Sequence, residues 1–87
     1  MKTVKGLTQD NKDALKFVLE NATTKTVTTI KDLRLIDKVC KVIESSTDTL
    51  ELEDTDYEYL KKRYEAFDQW NPAVRQIVLD TADKLNG

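Results

Sequence analysis

TIKDLRLIDKVCKVI, residues 29–43, is the stretch whose reading decides the fold. Its apolar positions Ile30, Leu33, Ile36, Cys40 and Ile43 recur at intervals of three and four, the spacing that lines one face of an α-helix. Val39 widens that stripe, and Leu35 and Val42 carry it onto the flank. At roughly 100° per residue the apolar arc takes up about two thirds of the circumference. A helix lying on a surface needs an arc only a little over ~100° wide. The pattern therefore predicts a helix covered on more than one side and placed at the centre of the domain. Thr29 is its expected N-cap, with Asp32 at the third helical position facing the positive end of the helix dipole. Ser45-Ser46-Thr47-Asp48 is expected to end it, because these side chains offer the backbone other hydrogen-bond partners. The remaining arc is narrow and basic: Lys31, Arg34, Lys38 and Lys41. Asp32, Asp37 and Glu44 on the same helix dilute its field, which favours a solvated seam over a phosphate-binding ridge.

On the N-terminal side, Thr8 reads as the N-cap of a helix from about Gln9 to Asn21. Ala14, Leu15, Phe17, Val18, Leu19 and Ala22 would face the core, opposite Lys12, Lys16 and Glu20. The threonine-rich segment that follows favours extended backbone and predicts a short strand at about 25–28. Its expected partner is 49–53, where apolar and acidic residues alternate and Leu50 and Leu52 would point inward. Thr3-Val4-Lys5 is a further candidate for a strand edge.

On the C-terminal side, a third helix is expected to start near Asp54 or Thr55, with Thr55 and Glu58 as a capping box. Tyr57, Leu60, Tyr64 and Phe67 form its stripe, and Tyr59, on the opposite side beside Arg63 and Ala66, is the aromatic expected to be exposed. Asn71 as N-cap and Pro72 at the first helical position open a fourth helix reaching about Leu85. Val74, Ile77, Val78, Thr81, Ala82 and Leu85 make its expected inner face, with Leu79 outside it. The fold expected is mostly α: a compact four-helix single domain over residues 1–87, with a short two-stranded β element.

Composition narrows the chemistry. A net charge of −2 is too weak for a dedicated nucleic-acid binder, which carries a clear basic excess. A single cysteine cannot form an intramolecular disulfide, and the first twelve residues contain no apolar run of signal-peptide type, so the expected location is the cytoplasm. No run of apolar residues approaches membrane-spanning length. With no histidine and one cysteine, a four-ligand zinc set is not available, and no metal or cofactor is expected. Glu65 lies twelve positions into a run of acids starting at Asp54, but Tyr59 stands where a calcium loop needs glycine. The only glycines are Gly6 and Gly87, so there is no phosphate-cradling loop. Cys40 reads as core packing. No catalytic residue is nominated.

The expectation is a small non-catalytic protein–protein interaction module, regulatory or inhibitory. In size, acidity and lack of catalytic residues it resembles the accessory proteins of bacterial viruses, a likeness of composition that transfers no site. The candidate contact residues are Tyr57, Tyr59, Trp70 and Leu79, with the acids Glu51, Glu53, Asp54 and Asp56 as a docking edge for a basic partner. Two alternatives stand beside it: a structural homo-oligomer or assembly component, and a weak nucleic-acid binder through the basic seam of residues 31–41.

Overall fold

Two capping boxes start the first half of the chain. Thr8 Oγ1 accepts from the Asn11 amide at 3.2 Å while Asn11 Oδ1 accepts from the Thr8 amide at 2.9 Å. Thr29 and Asp32 repeat the exchange at 3.2 and 3.0 Å. Each satisfies orphan donors at a helix start. In a computed structural model, which describes residues 1–21 and 29–87, these caps open α1 (Gln9–Glu20) and α2 (Ile30–Ser45). The strand expected at 25–28, and Ala22 of the first helix, lie outside the described residues. The remaining elements are β1 (Lys2–Val4), β2 (Leu50–Leu52), α3 (Asp54–Ala66), a 3-10 turn (Pro72–Val74) and α4 (Arg75–Leu85). Together they form a compact, mostly helical domain of four helices with a short antiparallel two-stranded sheet.

The strand expected at 49–53 forms, and its partner among the described residues is β1, with Val4 opposite Leu50 and Lys2 opposite Leu52. Gly6, at φ +73°, takes a left-handed turn open to a residue without Cβ and redirects the chain. Leu7 can then donate its amide to the Asp48 carbonyl at 2.9 Å and bury its side chain beside Val4, Leu50 and Leu52. The Lys2 ammonium lies 5.9 Å from the Tyr57 ring centroid.

The helix that packs most extensively against the other three is α1, not α2, and α3 also touches all three of its neighbours. Ala14, Leu15, Val18 and Leu19 are buried on it, together with the side chain of Asn11. α2 is covered by α1, α3 and β2 along Ile36, Val39, Cys40 and Ile43, but its first turn overhangs: Ile30 is 73% and Leu33 54% exposed. A wide apolar arc thus marks a helix with several neighbours, while the first turn of the same stripe is left in the open. Ser45 and Ser46 end α2 as expected, their hydroxyls donating to the Val42 and Ile43 carbonyls at 3.1 and 2.6 Å.

Two helix starts differ from expectation in detail. α3 begins at Asp54, one of the two expected starts, but with Glu53 at its N-cap and no side-chain capping bond, so the box of Thr55 and Glu58 does not form. Asp54 and Asp56 in the first turn still complement the dipole. The fourth helix starts as a 3-10 turn, because Asn71 accepts from the Ala73 amide at 3.0 Å through its side chain and from the Val74 amide at 3.0 Å through its carbonyl.

Side chains lock the helix ends together. Arg63 donates to the Val18 carbonyl at 3.0 Å, satisfying one of the last carbonyls of α1. Tyr64 donates to the Val78 carbonyl at 2.6 Å, and Tyr57 to that of Leu85. Burial pushes the Tyr64 hydroxyl up to about 12.

Candidate protein-binding groove

Four residues of α1 share one face by spacing alone: Asp10, Asp13, Ala14 and Phe17. Val74, Ile77 and Val78 repeat that spacing where the 3-10 turn runs into α4. The two faces meet across Gln69, Trp70 and Asn71 and leave a groove of about 360 Å³. Its lining is overwhelmingly apolar, and Asp10 and Asp13 are among the residues on its α1 side.

Trp70 is fixed from three directions. Its ring centroid lies 4.8 Å from Phe67 edge-on, 5.4 Å from Tyr64, and 5.8 Å from Phe17 at an interplanar angle of 28°. Phe17 meets Phe67 edge-on at 5.5 Å. Such offset and edge contacts stabilise an aromatic cluster beyond its buried area. Yet Phe17 remains 46% and Val74 39% exposed, so the cluster presents a rigid apolar surface to solvent.

The spacing of the two walls is set by a polar link beside the groove. Asn11, buried, donates to Thr81 Oγ1 at 2.8 Å and Asp80 Oδ2 at 3.1 Å, and accepts from Lys84 Nζ at 2.8 Å. Thr81, also buried, donates to the Ile77 carbonyl at 2.7 Å. Hydrogen bonds from Asn11 first, and Lys84 second, hold the Asp80 carboxyl below its ordinary range. Every polar atom of this buried cluster is paired, as a low-dielectric site requires.

Of the contact residues nominated from sequence, Trp70 alone lines this groove. Tyr57 is half-buried with its hydroxyl turned to α4. Tyr59, expected to be the exposed aromatic, is half-buried, because Arg63 reaches across it to α1 and donates to its hydroxyl at 3.2 Å. The exposed aromatic is Phe17, which sequence reading turned to the core. Val74, likewise expected inside, stands on the groove wall. Leu79 is exposed, as expected, outside the groove.

The acidic edge is dispersed and largely engaged. Asp56 is only 5% exposed and lies 3.0 Å from Lys38 Nζ, with Glu53 3.6 Å from the same ammonium. Asp54 lies 3.1 Å from the Met1 ammonium, and Glu51 faces outward on β2. The basic seam is engaged to match. Lys38 is held protonated by hydrogen bonding to Asp56, and Lys41 by hydrogen bonding to Asp37 at 2.8 Å.

Cys40 is buried in the core, and burial pushes its thiol up, away from reactivity. Among the described residues, no group of three or more acids, cysteines or histidines is placed to hold a metal ion, and no helix is long and apolar enough to cross a membrane. The chain matches no protein-family model, no curated protein and no solved structure.

Proposed function

We propose that this chain is a non-catalytic protein-binding module, a small regulatory or inhibitory accessory protein whose working surface is the groove between α1 and α4. The observation that supports this is the rigid aromatic cluster left half-open between the two helices, with Phe17 and Val74 exposed beside Trp70. Interface hot spots concentrate in such places, where an aromatic side chain already fixed by its neighbours loses little entropy on binding.

The two alternatives have less behind them. A two-fold contact confined to this groove would bring Asp10 and Asp13 no cation, because the lining contains no lysine or arginine. Nucleic-acid binding through the basic seam would have to break the ion pairs of Lys38 and Lys41.

A photo-crosslinking residue placed at Val74, compared with one at the exposed Lys62 of α3, tests the reading in the cell that makes the protein. A discrete adduct with a second protein is expected from position 74 and none from position 62. Equal adducts from both positions, or none from 74, would remove the groove as the working surface.

A further inference from the structure

We infer that the occupant of the groove is a basic amphipathic helical segment of another protein, which seats apolar side chains against Phe17, Trp70 and Val74 and sets two cations against Asp10 and Asp13. This rests on the reading of the groove as a protein-binding surface and adds what that surface selects.

Charge is the first argument. The lining residues include two acids, Asp10 and Asp13, and no lysine or arginine. Several acids elsewhere sit in ion pairs: Asp37 with Lys41, Glu44 with Lys16, Glu53 and Asp56 with Lys38, Asp80 with Lys84. Others, such as Glu51, Glu58 and Glu65, stand exposed outside any ion pair among the described residues. What sets Asp10 and Asp13 apart is their place in the groove lining. Asp10 and Asp13 have no such ion pair among the described residues. Asp13 accepts only a neutral donor, the Gln9 side-chain amide at 2.9 Å. Two uncompensated acids beside an apolar floor favour a cationic partner and disfavour an acidic one.

Size and shape supply the rest. A cavity of about 150 Å³ accommodates a benzene-sized group, so 360 Å³ holds about two large apolar side chains. The walls are helical, with no strand edge to offer main-chain pairing, so recognition runs through side chains in the helix-in-groove manner. Asp10 and Asp13 stand about one helical turn apart on α1, which matches cations spaced by three or four residues on a second helix. A small ligand is served less well, because sites for such ligands enclose most of the molecule, and here Phe17 and Val74 stay open to solvent.

Trp70 is the sole tryptophan, so its fluorescence reports the groove directly. The full chain is titrated with three synthetic peptides that share an apolar pair four residues apart and differ only in flanking lysine, glutamine or glutamate. The lysine peptide is expected to shift Trp70 emission saturably and to bind several-fold more weakly as salt rises from about 50 to 200 mM. Asp10→Asn with Asp13→Asn is expected to weaken it about five- to tenfold and to flatten the salt dependence. Because Asp10 lies in the first turn of α1, Asp13→Asn alone is measured as well, with an expected loss of about threefold. If the glutamine or glutamate peptide binds as tightly, charge selection is wrong while the groove remains a docking surface. If no peptide moves the emission, the inference falls. If the emission shifts with protein concentration alone, the occupant is a second copy and the inference falls too.

Discussion

The chain carries two regions where acids and aromatics come together, and they behave in opposite ways. In the segment 51–59 the acids are dense in sequence, yet Lys38 takes up Glu53 and Asp56, and both tyrosines donate or accept hydrogen bonds inside the fold. At the groove only two acids are present, a turn apart, and both remain outside any ion pair among the described residues beside an open aromatic ring. The density of acids in a sequence therefore says little about the charge a surface offers. What counts is whether a cation from another element reaches them first.

The contrast can be broken most forcefully at Asn11, the link that holds α1 to α4 beside the groove. Asn11→Ala leaves Thr81 and Lys84 short of partners in a buried site, and a loss of about 2–3 kcal/mol is expected from urea unfolding. A loss within about 0.5 kcal/mol would mean that apolar packing alone sets the wall spacing.

Tyr64, behind the groove floor, comes next. Its folded pKa of about 12 lies above the ordinary 10, so the unfolded chain gives up this proton first as pH rises. The stabilisation is complete below about pH 10 and is lost between about pH 10 and 12, with a limiting slope of about 1.4 kcal/mol per pH unit. Stability measured across this window should fall, and Tyr64→Phe should flatten the fall.

The smallest effects set the two acidic regions directly side by side. Lys38→Met leaves the buried Asp56 without its cation, and a drop of a few degrees in Tm is expected. Asp13→Asn removes an acid that no cation holds among the described residues and should leave Tm unchanged within error. Equal shifts from the two variants would erase the distinction drawn between the regions.

Much of the fold was legible because it is written in local bonds. The caps at Thr8, Thr29 and Asn71 depend on residues two or three positions away, and all three form. Leu50 and Leu52 announce a strand by alternation, but β-propensity carries no address. Val4 becomes their partner through the turn at Gly6 and the burial of Leu7, neither of which has a strong local pattern. The groove was half legible. Trp70 could be nominated because a large aromatic beside Asn71-Pro72 stands at a helix entrance. Phe17 could not, because a helical wheel sees an apolar face and not where the neighbouring helix stops covering it. Asp56 was misjudged for the reverse reason: its cation comes from α2, eighteen positions earlier and on a different element.

The lone thiol of Cys40 gives the molecule a built-in clock. Nine-tenths buried on the inner side of α2, with its thiol pushed up by burial, it reacts slowly with an alkylating reagent until the helix lifts away from its neighbours. The rate at which the native protein takes up such a label therefore counts openings of the whole interior, while a helical guest settling on the far side of α1 leaves the count untouched unless it steadies the entire architecture.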